Sequence, residues 1–122
     1  QQFLRPFGLT DAQFDVLMML ATQSEDGTLN QTELSTMLLV NRSNITGLID
    51  RMEQAGWVQR LSEAGDRRIN RIGMTESGKA LLNDAKEVYF RRVAEITAVL
   101  ADEEETSLCE ILERIRKQVH LS

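Results

Sequence analysis

Polar and apolar residues alternate with helical spacing between Arg42 and Met52. The apolar positions recur at intervals of three and four, and they would form one buried stripe: Ile45, Leu48, Ile49 and Met52. The opposite face would carry Arg42, Ser43, Asn44, Thr46, Gly47, Asp50 and Arg51. Hydroxyl, amide and guanidinium groups in the first turns of a helix can reach base edges and phosphates in the major groove of DNA. The same residue types also suit the polar start of an ordinary surface helix, so both interpretations stay open.

A second charged group, Asp66-Arg67-Arg68, follows a short segment that contains one glycine. An arginine on a protruding β-hairpin can enter the minor groove, where narrow A·T-rich stretches concentrate negative potential. The carboxylate of Asp66 would then hold an arginine in place, because a guanidinium offers it a fork of donors. The alternative is an exposed hairpin whose charges are simply solvated.

The charge of the chain is distributed unevenly. Its net charge of -5 disfavours a nucleic-acid partner at first sight. Residues 41–72, however, hold six arginines against four acids, a net of +2, whereas residues 1–40 sum to -4 and residues 73–122 to -3. Local charge matters more than the total for phosphate contacts, so the middle segment is the candidate DNA-binding region.

The elements that must position these residues are predicted to be mainly helical. Apolar residues make up 42% of the 122 residues, enough for a core, and only 5% are aromatic. A single proline also disfavours a sandwich or barrel. Thr10 with Gln13 forms a capping-box pattern at the start of one helix, which ends before a turn at residues 25–27. Asn30 with Glu33 caps a short second helix.

The middle of the chain is predicted to be a helix-turn-helix followed by a β-hairpin. Residues 39–41 join the short second helix to the polar helix described above, and such spacing is typical of a helix-turn-helix. Gly56 suits the left-handed position after the end of that helix. The period then changes, and residues 57–61 and 67–72 are predicted to be strands joined by residues 62–66.

Helices are also predicted towards both ends of the chain. Residues 1–7 indicate the end of a helix that begins before this sequence. Thr75 caps a long helix that extends to about Leu100, and Asp102 with Glu105 caps a last helix. The long helix carries apolar positions spaced like a coiled-coil seam: Leu82, Ala85, Tyr89, Val93, Ile96 and Leu100. The last helix carries the apolar stripe Leu108, Ile111, Leu112, Ile115 and Val119.

Several function classes are disfavoured. A single cysteine, Cys109, and a single histidine, His120, argue against a disulfide framework, a zinc site and a histidine-based triad. Cys109 flanks the apolar stripe of the last helix, where an inert buried thiol is expected. Neither a glycine-rich phosphate loop nor a nucleophile–base pair is evident, so we predict no enzyme and no cofactor. The apolar runs are too short to cross a bilayer, and a cytoplasmic protein is expected.

Four segments resemble motifs of the MarR-type (multiple-antibiotic-resistance) regulators. Residues 42–60 are similar to the recognition helix and first wing strand of that family, and Asp66-Arg67-Arg68 matches its Asp-x-Arg wing motif. Met74-Thr75-Glu76-Ser77-Gly78 resembles the Leu-Thr-x-x-Gly entry to its long helix. Leu9-Thr10 followed by Gln13-Phe14 resembles its usual helix opening upstream. The four motifs lie in the family's order over nearly the whole chain.

The resemblance implies a mainly α fold with a small β-hairpin wing. Residues 9–74 would form the winged helix-turn-helix domain, and residues 1–8 and 75–122 a helical dimerisation region. The family implies a homodimer on a pseudo-palindromic operator in double-stranded DNA, and repression that a small ligand or an oxidant relieves. By resemblance, Ser43, Asn44, Thr46, Arg51 and Arg68 fall on DNA-binding positions. The residue types and their placement add Arg42 and Arg67 to the predicted DNA-binding residues. Arg68 would take the minor-groove position, and Asp66 would support it.

The resemblance also implies an effector site and shows departures. MarR-like proteins often bind amphipathic acids between the DNA-binding lobe and the dimer helices. The candidate lining is Phe7, Phe14, Trp57 and Tyr89, with Arg91 or Arg92 for a carboxylate; the alternative is that these aromatic residues are core.

Two positions depart from the family pattern. Gly47 stands where many relatives carry a larger or basic residue, and Leu39 stands where glycine is common. A winged-helix module that binds a protein instead of DNA remains the competing function.

Overall fold

The computed structural model describes the backbone of residues 2–63 and 66–121 and the side chains of residues 3–62 and 71–119. Its contacts divide the chain into two compact units, residues 1–86 and 87–122. The elements are the 3-10 helix Gln2–Phe7, α1 Asp11–Thr22, β1 Thr28–Asn30, α2 Gln31–Leu38, α3 Arg42–Gln54, β2 Val58–Glu63, β3 Asp66–Met74, α4 Glu76–Thr97 and α5 Asp102–Leu121. The first element, predicted as the end of a helix, is a 3-10 helix that contains Pro6.

Reciprocal capping boxes fix the starts of α1 and α2, as predicted. The backbone N–H of Gln13 donates to Thr10 Oγ1 over 3.2 Å, and the N–H of Thr10 donates to Gln13 Oε1 over 3.0 Å. Asn30 and Glu33 repeat this exchange at α2 over 2.7 and 3.0 Å. Each box satisfies two N–H groups that a helix start otherwise leaves without a partner, so short polar motifs set both boundaries.

The turn between α2 and α3 contains a non-glycine residue in a left-handed conformation. Leu39 has φ 57° and ψ 40°, and its side chain is 72% exposed. A side chain in this region costs about 1–2 kcal/mol because Cβ approaches the following carbonyl oxygen. Leu39, at a position that glycine often holds in relatives, is thus in a conformation that is strained for a residue with a side chain. Asn41 then caps α3 by accepting the N–H of Asn44 over 2.9 Å.

The end of α3 turns the chain into the sheet through a left-handed glycine, as predicted. Gly56 has φ 84°, and its N–H donates to the carbonyl of Glu53 while the N–H of Trp57 donates to that of Met52, both over 3.0 Å. This pair of bonds is a Schellman motif, which satisfies carbonyls at the helix end. The strand that follows starts one residue later than predicted, at Val58.

The described sheet has three antiparallel strands in the order β1-β3-β2, one more than the predicted hairpin. The additional strand, β1, is only three residues long and pairs Leu29 with Ile72. The carboxylate of Asp26 accepts from the hydroxyl and the N–H of Thr28 at the start of β1. These hydrogen bonds hold the pKa of Asp26 below its usual value.

The core of the first unit lies where α1, α2 and α3 pack with the sheet. Its most deeply buried side chains come from every one of these elements and include Leu17, Leu34, Ile45, Ile49, Met52, Val58 and Ile72. The stripe predicted for α3 is completely inside this core. Burial of one face therefore fixes which side chains α3 presents to solvent.

The first turn of α4 packs tightly on the end of the Schellman turn. The hydroxyl of Thr75 donates to the carbonyl of Gly56 over 2.6 Å and accepts the N–H of Gly78 over 3.0 Å. A Cβ atom on the buried Gly78 would lie 2.0 Å from the carbonyl oxygen of Trp57. Glycine is thus required at this position by the close approach of two backbones.

The second unit consists of the last part of α4 and the whole of α5, and much of its apolar surface is exposed. Among the described side chains, the exposed large apolar residues of this unit are Phe90, Ile96, Val99, Leu108, Ile111, Leu112, Ile115 and Val119. Cys109 is also exposed, which corrects the expectation of a buried thiol. α4 ends at Thr97, earlier than the predicted Leu100. α5 begins at Asp102, so the preceding Ala101 holds the cap position, and its N–H donates to Glu104 Oε1.

Candidate nucleic-acid interface

α3 exposes the predicted polar residues on one face. Ile45, Leu48, Ile49 and Met52 are buried. The exposed positions of the helix include Arg42, Ser43, Asn44, Thr46, Asp50 and Arg51, and Gly47 is half-buried among them. The structure thus brings together all the α3 residues for which the sequence predicts a DNA contact.

The first turn of this face is ordered by hydrogen bonds with the turn and with α2. The amide oxygen of Asn41 accepts from the hydroxyl of Ser43 over 2.7 Å, in addition to capping the helix. The guanidinium of Arg42 donates to the hydroxyl of Thr32 over 3.0 Å. These bonds hold two polar side chains beside a helix N-terminus, which itself favours anions such as phosphate.

Arg60, on β2, neutralises the acidic residues of α3. Its guanidinium lies 2.7 Å from a carboxylate oxygen of Asp50 and 2.8 Å from one of Glu53, and it donates to the amide oxygen of Gln31 over 3.4 Å. Bidentate and multiple contacts of this kind suit arginine in particular. The two carboxylates that would repel a phosphate backbone are therefore each paired.

Arg71, on β3, is held in a similar way inside the fold. It donates from Nε to the hydroxyl of Thr28 over 2.7 Å and from a terminal nitrogen to the Thr28 carbonyl over 3.0 Å. Its guanidinium also lies 3.7 Å from the carboxylate of Glu33. Arg60 and Arg71, both part of the basic segment 41–72, thus tie elements together. Sequence reasoning counted both in the basic segment but missed these partners, because no local spacing signals a contact between distant elements.

The wing residues lie on β3, and their side chains are outside the described residues. Asp66 begins that strand opposite Glu63, next to an irregularity in the register. Arg67 and Arg68 follow it on the same strand. The minor-groove contact of Arg68 and the supporting role of Asp66 therefore stay predictions, and the side chain of His120 also lies outside the described residues.

The aromatic residues predicted to line an effector pocket have different environments. Phe14 is only 4% exposed and meets Phe3 edge to face, with ring centroids 6.1 Å apart. Phe7 and Trp57 are half-buried in the first unit. Tyr89, half-buried in the second unit, meets Phe90 at 5.4 Å. Phe14 is thus a core residue, and a role of these side chains in ligand binding stays a prediction.

The described part of the chain also bears on three other features: a ligand cavity, a metal site and a membrane-spanning helix. A surface cavity of about 420 Å³ lies in the first unit between the end of α1, β2, β3 and Lys79, and none of the four aromatic residues lines it. Arg92, a candidate carboxylate partner, pairs with Glu95 over 3.0 Å. The described residues include no cluster of histidine, cysteine and carboxylate side chains able to hold a metal ion. No described helix has both the length and the apolar character needed to span a membrane.

The order of helices and strands, with a polar face on the second helix of the helix-turn-helix and a sheet directly after it, defines a winged helix-turn-helix DNA-binding protein. A family model described as "MarR family" matches residues 7–69. The chain belongs to the MarR family of transcriptional regulators. The resemblance noted in the sequence is thereby confirmed.

Two relatives are named as transcriptional regulators. The chain is 32% identical over 113 residues to the HTH-type transcriptional regulator PecS of Dickeya dadantii. This alignment covers 93% of this chain and 68% of PecS. The chain is also 31% identical over 105 residues to the HTH-type transcriptional repressor YetL of Bacillus subtilis. That alignment covers 86% of this chain and 62% of YetL. Both relatives are regulators by name, not enzymes.

Two solved structures connect the fold to DNA and to a small molecule. A mutant of MarR from E. coli, complexed with operator DNA, matches with a TM-score of 0.77 and 27% identity over 93% of this chain and 80% of that one. NadR in complex with 4-hydroxyphenylacetate matches with a TM-score of 0.81 and 30% identity over 95% and 80%. These matches favour a DNA-binding regulator over the protein-interaction module.

Proposed function

We propose that this chain is a repressor that binds a pseudo-palindromic operator in double-stranded DNA as a homodimer. The observation that carries the proposal is the exposed face of α3, where Arg42, Thr46 and Arg51 are presented while Arg60 neutralises the neighbouring Asp50. Such a face is locally positive although the chain as a whole is acidic. Phosphate affinity depends on this local charge.

The predicted DNA-binding residues fall into groups with different tasks in this proposal. Ser43, Asn44 and Thr46 meet base edges or phosphates in the major groove, and Arg42 and Arg51 neutralise phosphates. The wing extends the contact, with Arg67 and Arg68 at the minor groove and Asp66 as the partner that supports an arginine. The position of these wing residues on β3, directly after the strand that carries Arg60, supports this division.

A homodimer would place two such faces on one duplex. The exposed apolar residues of the second unit, such as Leu112 and Ile115, are the chemistry that a second copy would cover. A two-fold dimer contacts half-sites about one helical turn apart, which explains a pseudo-palindromic operator. The predicted division into a DNA-binding domain at 9–74 and a dimerisation region at 1–8 and 75–122 belongs to this proposal.

The repressor would be released by a small amphipathic molecule. The ligand bound to NadR, 4-hydroxyphenylacetate, is such a molecule and supports this part of the proposal. The name of YetL, a repressor, supports the direction of regulation. In this proposal the chain performs no catalysis, needs no cofactor and works in the cytoplasm.

Fluorescence anisotropy at several salt concentrations tests DNA binding. The probe is a labelled duplex that the protein selects from a random-sequence pool. Log Kd is expected to rise steeply with log salt, and Arg51→Ala should reduce the slope by about 0.9, the value for one lost phosphate contact. Lys79→Ala is the matched control, because this exposed cation pairs with Glu76 away from α3 and should leave the slope unchanged. A flat salt dependence for the wild type would contradict the proposal.

A further inference from the structure

The hydroxyl group of Thr46 is already engaged within the protein. Its Oγ1 donates to the backbone carbonyl of Arg42 over 2.9 Å. The same oxygen accepts from Nε2 of Gln31, also over 2.9 Å. A hydroxyl has a single proton, so Thr46 has no proton left to donate to a base.

The direction of these hydrogen bonds follows from Arg60. A guanidinium is a donor only, so the atom of Gln31 that faces Arg60 at 3.4 Å must be the amide oxygen. The amide nitrogen of Gln31 is then the atom that faces Thr46, and Thr46 must accept this bond. The carboxylates of Asp50 and Glu53 hold Arg60 in place at 2.7 and 2.8 Å. The hydrogen bonds from Arg60 to Gln31 and from Gln31 to Thr46 therefore both have a fixed direction.

These two bonds leave Thr46 one acceptor lone pair on Oγ1 and its methyl group, and only the methyl group can make an apolar contact with a base. Thr46 is exposed on the face of α3 that carries Arg42 and Arg51. The bond to the carbonyl four residues earlier fixes the χ1 rotamer of a threonine in a helix, and therefore fixes its methyl as well. In the major groove, the apolar group that such a methyl can recognise is the C5-methyl of thymine.

We propose that Thr46 is a specificity-determining residue that recognises a thymine through methyl–methyl contact and not through a hydrogen bond. The inference rests on the proposed function, because it needs α3 in the major groove. It specifies the chemistry that the proposed function leaves open. Gln31 and Arg60 are positioning residues in this account, since they act on the base through Thr46.

Replacing thymine by deoxyuridine tests the inference without changing the protein. Each thymine of the selected duplex is replaced in turn, which removes only the C5-methyl. Wild-type protein should lose about fourfold in affinity at one position of each half-site, the factor that corresponds to one buried methyl group. If no single replacement weakens binding, the inference is wrong.

Two matched variants separate the methyl from the hydroxyl. Thr46→Val keeps a methyl and removes the hydroxyl, and it should bind within about twofold of wild type and keep the sensitivity to deoxyuridine. Thr46→Ser keeps the hydroxyl and removes the methyl, and it should lose affinity and bind both duplexes equally. The opposite pattern, with Ser active and Val inactive, would show that the hydroxyl reads the base. Circular dichroism confirms that both variants are folded.

The outcomes distinguish the inference from the function on which it rests. If the wild type selects no duplex from the random pool, the proposed DNA binding itself fails. If the wild type binds with steep salt dependence but Thr46→Val is inactive, DNA binding stands and the methyl contact is refuted. Thr36→Val serves as a matched control, because its hydroxyl also donates to a carbonyl four residues earlier but on α2, and the change should not alter the response to deoxyuridine.

Discussion

The two units of the chain use their apolar residues in opposite ways. In the first unit, side chains such as Val16, Leu17 and Ile49 are completely buried. In the second unit, no described side chain between residues 87 and 119 is buried, and Ile96 and Val99 are 60% and 86% exposed. Soluble monomers rarely expose so many neighbouring apolar groups. The first unit therefore completes its own core, whereas the second unit leaves many of its described apolar side chains exposed.

This difference assigns the two proposed tasks to different parts of the chain. The first unit must be rigid, because base contacts depend on the exact position of α3. The second unit can leave its core incomplete, because a second copy would supply the missing apolar contacts. Mutations in the two units should consequently fail in different assays, and three predictions make that separation measurable.

The largest expected effect is on the folding of the first unit. Gly78→Ala would place a Cβ atom 2.0 Å from the carbonyl oxygen of Trp57, so α4 and the turn before β2 must separate. We expect a loss of about 3 kcal/mol or more in the free energy of unfolding. Urea unfolding followed by circular dichroism measures it.

A second helical glycine offers the control for this prediction. An added Cβ at Gly47 would meet only the flexible guanidinium of Arg51, at 3.5 Å. Gly47→Ala should therefore raise the free energy of unfolding by about 0.5–1 kcal/mol, the usual gain in a helix interior. Equal effects of the two substitutions would show that the close backbone contact at Gly78 does not stabilise the fold.

The next effect concerns association through the second unit. The double substitution Leu112→Gln with Ile115→Gln removes two exposed apolar side chains of α5. Each is worth about 1.5–3 kcal/mol when it becomes fully buried, so the proposed dimer should dissociate at micromolar concentration. Sedimentation velocity measures the oligomeric state, and urea unfolding shows whether the first unit is still folded. Lys117→Gln, a nearby change of an exposed cation, should leave the dimer intact. An unchanged sedimentation coefficient in the double variant would rule out this surface.

The smallest effect concerns the charge of the α3 face. Arg60→Met leaves Asp50 and Glu53 without their guanidinium, and DNA affinity should fall about tenfold through repulsion of phosphates. The further change Asp50→Asn should recover most of this loss, because one of the two carboxylates is removed. Stability should change by no more than about 1 kcal/mol, since the pairs are partly exposed.

The result of that rescue experiment decides the role of Arg60. If Asp50→Asn restores affinity, the arginine acts by neutralising the helix. If affinity stays low in the double variant, neutralisation of Asp50 is not the main contribution of Arg60 to DNA binding. Anisotropy with the selected duplex measures both variants at one fixed salt concentration, since the affinities depend on salt.

Local signals in the sequence predicted the framework of the first unit. The capping pairs at Thr10 and Asn30, the glycine at position 56 and the unusual Leu39 are each defined by a few neighbouring residues and by backbone geometry. The exposed face of α3 follows from the helical period alone. Sequence reasoning succeeds at such positions because the physical cause lies within one turn or one helix.

The features that were missed depend on residues distant in the chain. β1 is too short to show a period and exists because residues 28–30 pair with β3. The partners of Arg60 lie on α2 and α3, and the need for Gly78 comes from the carbonyl of Trp57. The exposure of Cys109 likewise depends on what α5 packs against. These are tertiary contacts, and no local spacing encodes them.

In the proposed complex, two copies of the chain read one duplex, with the first unit on DNA and the second unit joining the copies. Sedimentation of the protein with the labelled, selected duplex tests it directly. We predict saturation at two chains per duplex for the wild type, and loss of that complex in the Leu112→Gln, Ile115→Gln variant although its first unit stays folded. Saturation at one chain per duplex, with the same affinity in the variant, would contradict the claim.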